Sequence, residues 1–229
     1  MSHSLFLAKQ GMKMKTNLNL LLAIVLTLAV APAVWAQKGI EITPFVGGQF
    51  NSGLKLSTSL YGGIDVQNGL NYGVSASYPL SKLGKLVSIE FMWNHNQADA
   101  LGQPVAGSSD VKLFSLTTNQ YLGDFLFHFK DSESRLRPFV FGGAGVTNLA
   151  PDRSGVNSTN RFAWVFGGGV KYSLSKHLGV RLQGKWSPTY INTFTKGVWC
   201  DPYWAGCWAS GDSVFLQELD ATAGLTFRF

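Results

Sequence analysis

From Val214 to Phe229 the odd positions run Phe215, Gln217, Leu219, Ala221, Ala223, Leu225, Phe227 and Phe229, and the even ones Leu216, Glu218, Asp220, Thr222, Gly224, Thr226 and Arg228. A period of two is the mark of a strand with one apolar and one polar face. Residues 178–190 repeat it, with Leu178, Val180, Leu182, Trp186 and Tyr190 set against Arg181, Gln183, Lys185 and Thr189. The same reading predicts strands at 40–50, 70–78, 86–94, 119–129 and 161–173. An eighth, 137–147, is predicted without an orientation: Phe139 and Phe141 fall on one face, Val140, Ala144 and Val146 on the other. Pro44 cannot donate to a ladder, so a bulge or a later strand start is expected there.

The predicted connections span 19, 7, 24, 7, 13, 4 and 23 residues. Long and short alternate, and the strand count is even. Transmembrane barrels combine these features, with short periplasmic turns, long external loops and both termini on the short-turn side. The predicted fold is therefore all-β: an eight-stranded antiparallel up-and-down transmembrane β-barrel. A soluble lipocalin-like barrel would place the apolar face inside instead. Aromatic residues favour the membrane, because Trp93, Trp164, Trp186, Tyr190 and Phe215 lie near one set of strand ends and Tyr78, Phe129, Phe139, Tyr172 and Phe229 near the other, as two girdles.

Composition sharpens this. Only 14% of the 229 residues are charged, and 26 are glycine, which suits a chain whose surface meets lipid. Lys13 and Lys15 precede an apolar block from Leu20 to Val30 and then Val34-Trp35-Ala36, the pattern of a secretory signal peptide. Residues 1–36 are expected to be cleaved, leaving a barrel domain over 37–229 that starts at Gln37; a retained anchoring helix is the alternative. The nineteen basic residues lose three lysines with that peptide, leaving sixteen against thirteen acids. So small an excess, without a basic run, argues against nucleic acid.

With the apolar faces toward lipid, the lumen is predicted to hold Glu41, Glu90, Asp124, Glu218 and Asp220 with Arg161, Lys171, Arg181, Lys185 and Arg228. Eight strands enclose space that side chains fill, so these charges are expected to form a plugging network rather than a wide pore. His128 and Asp124 share a strand face but lie ~13 Å apart, too far for an acid–base couple. The runs Gly142-Gly143-Ala144-Gly145 and Gly167-Gly168-Gly169 lack the lysine and hydroxyl of a phosphate loop. No catalytic residue, cofactor or metal ligand is assigned. Cys200 and Cys207 share the last long connection of an exported chain and are expected to form a disulfide. Trp199, Tyr203, Trp204 and Trp208 around them could rest on headgroups or form an extracellular recognition tip for an unidentified ligand.

These features, and above all the carboxyl-terminal Thr222, Gly224, Phe227 and Phe229, resemble the small OmpA/OmpX-like outer-membrane barrels and opacity-protein-like surface antigens of Gram-negative bacteria. The resemblance implies an outer-membrane location, lipid contacts, and dealings with periplasmic chaperones and the barrel-assembly machinery during biogenesis. It further implies that those four residues serve as the assembly signal. Similar barrels act as structural or surface-interaction proteins, narrow channels, or lipid-A-modifying enzymes; a non-enzymatic surface barrel is the leading expectation, a narrow porin-like channel the alternative, and an enzyme the remaining class.

Overall fold

A computed structural model describes residues 39–51, 61–80, 86–104, 110–131, 134–152, 157–191 and 214–229. The expected signal peptide over residues 1–36, both cysteines and the Trp199–Trp208 segment lie outside these residues. The described chain forms eleven strands: β1 (Glu41–Asn51), β2 (Tyr61–Val66), β3 (Gly69–Pro79), β4 (Val87–Pro104), β5 (Val111–His128), β6 (Leu136–Pro151), β7 (Thr159–Ser173), β8 (Leu178–Trp186), β9 (Thr189–Ile191), β10 (Val214–Leu216) and β11 (Glu218–Arg228).

They build eight staves, because β2 and β3, β8 and β9, and β10 and β11 are interrupted single passes. The second break falls at Ser187-Pro188, where proline has no N–H to give; Ser187 N instead donates to Glu218 O and Trp164 N to Pro188 O. Every stave is antiparallel to its neighbours. The ring closes where β1 pairs with β11, from Glu41 opposite Arg228 to Asn51 opposite Glu218. Closure satisfies the backbone within the sheet, which a hydrocarbon environment requires. Glu41, Arg228 and the connections 80–86, 129–135 and 174–177 share one end, the periplasmic end by the rule that short turns face that side.

The two faces are inverted relative to a soluble barrel. Phe125 is 63% exposed and Phe91 55%, whereas Lys171 is 1% exposed and Glu90 4%. Exposing rings of this size to water would be costly; a bilayer makes it favourable.

Three expectations need correction. Phe139 belongs to no girdle: it points into the lumen with Phe141, while Val140 and Val146 face outward, which settles the orientation of β6. The inward rings fit because glycine lies beside them; a Cβ at Gly167 would stand 2.4 Å from the Phe141 ring. Pro44 causes no bulge against β3, where Thr43 and Pro44 pair with Ser75 and Val74; only the ladder to β11 omits them. Finally, the strands run well past their predicted outer ends, β4 to Pro104 and β5 back to Val111. Beyond Trp93 the outward positions of β4 turn polar, as His95, Gln97 and Asp99, so alternation of hydrophobicity ceases although the ladder continues. The contrast between long and short connections shrinks accordingly, except at 192–213.

Candidate functional site

The inward residues of the eight staves stack in layers along the barrel axis, and the lumen is the one place where most of the predicted charges meet. At the periplasmic mouth Glu41 of β1 receives Lys171 Nζ of β7 at 2.5 Å and Arg228 Nε of β11 at 2.9 Å, with Arg137 Nη1 of β6 at 3.7 Å. Arg228 also donates to Ser173 Oγ at 2.8 Å. Deeper, Arg181 of β8 spans the lumen to grip both oxygens of Glu90 on β4, and donates to Ser75. Its guanidinium lies 4.7 Å from the centre of the Phe139 ring, and Lys171 Nζ lies 5.6 Å from the same ring. Phe139 thus serves as a π surface between two buried cations.

A third layer joins β8, β11, β5 and β1. Lys185 Nζ stands 2.9 Å from Asp220 Oδ2 and donates to Gln120 Oε1 at 2.6 Å. Asp220 also accepts from Asn71 at 2.5 Å. Glu218 accepts hydrogen bonds from Gln49 at 2.8 Å, Gln120 at 2.6 Å and Thr189 at 3.3 Å. Above this level the interior turns apolar, with Val66, Ala98, Ala100, Phe114, Leu116, Leu149, Ile191 and Leu216 packed together. A second apolar group, including Met92, Leu122, Leu126, Phe139 and Phe141, lines the lower lumen.

The predicted charges do not all share one network. Asp124 sits directly across the ladder from Glu90, is 4% exposed, and neither of its oxygens has a hydrogen-bond partner among the described residues. Arg161 lies higher, half-buried and opposite Thr147 of β6. Arg137, Gln49, Gln120 and Asn71 escaped the sequence reading. Arg137 was hidden by the mixed faces of β6; the amides carry no charge and announce themselves only by lying on the inward face of their strands. His128 Nδ1 is 3.3 Å from Leu86 O, not from a carboxylate. The two glycine runs lie inside β6 and β7, where they admit neighbouring backbone and rings.

At the closing seam Thr222 and Gly224 of β11 face inward and Phe227 outward, with Phe229 half-buried beyond the strand. Gly224 is opposite Phe45, and a Cβ there would lie 2.6 Å from Pro44 O. Its lack of a side chain therefore lets the first stave approach the last. Outside the apolar band, hydrogen bonds from Lys112 and Ser115 hold the half-buried Asp99 carboxyl below its ordinary range. Among the described residues no group of three His, Cys, Asp or Glu side chains could hold a metal ion.

Comparison with known proteins agrees with this geometry. The profile of the outer membrane protein beta-barrel domain matches residues 20–227. Among solved structures, Neisserial surface protein A superposes with a TM-score of 0.56 at 11% identity, covering 84% of this chain and 98% of that one. OprG, an outer membrane protein of Pseudomonas aeruginosa, gives 0.50 at 15% identity, covering 84% and 96%. A search of the curated proteins finds no match. The chain belongs to the outer membrane protein beta-barrel domain family, as a small eight-staved barrel of the Gram-negative outer membrane.

Proposed function

We propose that this protein is a non-enzymatic surface barrel: a scaffold fixed in the outer membrane whose extracellular connections, above all residues 192–213, meet the environment. The observation that carries the reading is the filled lumen. Three ionic layers and two apolar clusters cross the space between the staves, so the interior is built as a core and the variable chemistry is left to the loops. Lipids surround the barrel; chaperones and the assembly machinery are its partners only during biogenesis. Cys200 and Cys207 form a disulfide that orders the tip carrying Trp199, Tyr203, Trp204 and Trp208.

Planar-bilayer recordings of the refolded protein test the scaffold reading, with no reproducible conductance steps expected; discrete steps would replace it with a narrow channel. Lipid A extracted from expressing cells should keep its mass, and a shift by an acyl chain would establish an enzyme instead. Removing residues 198–209 should leave refolding intact while abolishing whatever surface binding whole cells gain from the protein.

A further inference from the structure

The periplasmic mouth carries more positive charge than its own acid neutralises. Arg137, Lys171 and Arg228 converge on one carboxylate, Glu41. Arg137 is 5% exposed, yet among the described residues its Nε has no hydrogen-bond partner, and neither has Nη2 of Arg228. His128, on the stave beside Arg137, is 1% exposed with Nε2 also unpartnered. Burying guanidinium donors unpaired is unfavourable, and the three cations share Glu41 as their close carboxylate, with Asp131 acting on Arg137 and Glu90 on Lys171 only from farther off. The rim adds exposed Lys130, Arg135 and Lys176 on the two turns that flank the mouth, with Asp131 among them. Deeper in the lumen Arg181 has Glu90 and Lys185 has Asp220, whereas the three cations that share one carboxylate stand at the end that opens on the periplasm.

We propose that this mouth is an oxyanion site, taking a phosphate group offered from the periplasmic side. Arg137 and Arg228 supply forked donors suited to phosphate, Lys171 supplies a point charge above Phe139, and Glu41 holds the three in place when the site is free. The cationic rim steers anions toward it. A free phosphate and the phosphate of an inner-leaflet lipid share this chemistry.

Two arms separate the sources. In the first, the purified barrel in non-ionic detergent is titrated with inorganic phosphate against chloride at matched ionic strength, following the temperature at which the folded gel band is lost. Phosphate should raise that temperature for the wild type and for Lys112→Gln, whose charge sits outside the lumen, while Arg137→Gln binds about tenfold more weakly. If Arg137→Gln does not refold, Arg137→Lys replaces it; keeping the charge without the fork, it should lose about threefold. In the second arm, the protein in phosphatidylcholine nanodiscs doped with phosphatidylglycerol is released into detergent and bound lipid counted by native mass spectrometry. Phosphatidylglycerol retained by the wild type and lost from the Arg137 variant assigns a lipid headgroup, and a response in the first arm alone assigns a free anion. No response in either arm, or equal loss in Lys112→Gln, overturns the site.

Discussion

Two carboxylates separated by one ladder rung, Glu90 and Asp124, live in different circumstances, and substitution should expose it. Glu90→Gln would leave the Arg181 guanidinium in the lumen without its counter-charge, a loss of about 3–5 kcal/mol. Asp124 has no donor to lose and faces Glu90 across the rung. Asp124→Asn keeps the shape and removes the repulsion, so it should be neutral or stabilising by about 1–2 kcal/mol. Urea unfolding of both variants in phosphatidylcholine bilayers checks the pair; a large loss in Asp124→Asn would mean the carboxylate has a partner that its surroundings conceal. Phe139 offers a second contrast. Phe139→Leu keeps most of the packing but removes the π face shared by Lys171 and Arg181, and should cost about 1–2 kcal/mol in the same measurement.

Among the elements, β11 and β1 matter most because they join last and first in the chain. Gly224→Val would drive a side chain into the Pro44 carbonyl and Thr43, forcing the seam apart. Its expected signature is slower refolding and a reduced share of the fast-migrating folded band in unboiled samples. Removing Phe229 touches no ladder pair, so reduced assembly in cells with normal refolding in detergent would be the mark of a recognition signal rather than of a structural residue. The strands themselves were legible wherever one face is oily: β11, β8 and the lower half of β4 declare themselves by alternation. Three things were not. Inward Phe45, Phe139 and Phe141 blur the pattern, since hydrophobicity alone does not say whether an apolar ring meets lipid or a lumen glycine. The outer extensions of β4 and β5 are polar on the outward face and apolar inside, the reverse of the membrane band, so they read as loop. Pairing across the lumen was also hidden. Alternation says that Glu41 and Lys171 point inward, but which acid meets which base depends on the stagger of eight staves, and that stagger brought Arg137 to Glu41.

At the scale of the molecule, the bilayer's position follows from where outward side chains change character. On β4 they pass from Val87, Ile89, Phe91 and Trp93 to His95, Gln97 and Asp99; on β5 from Phe127, Phe125 and Tyr121 to Asn119, Thr117 and Ser115. The change occurs at one rung, where His95 and Asn119 are cross-strand partners joined by a hydrogen bond of 2.8 Å. The hydrocarbon therefore ends near Trp93 and Tyr121, and Phe125 stands close to its middle. An arginine placed at Phe125 must cross that middle or distort the lipid, at about 2–4 kcal/mol, whereas one at Gln97 should be nearly neutral. Both positions face outward and both are exposed, so a barrel in water would accept arginine equally at either. The unfolding free energies of Phe125→Arg and Gln97→Arg in bilayers thus measure the depth of each residue directly. A difference below about 1 kcal/mol would place the membrane band elsewhere on the barrel.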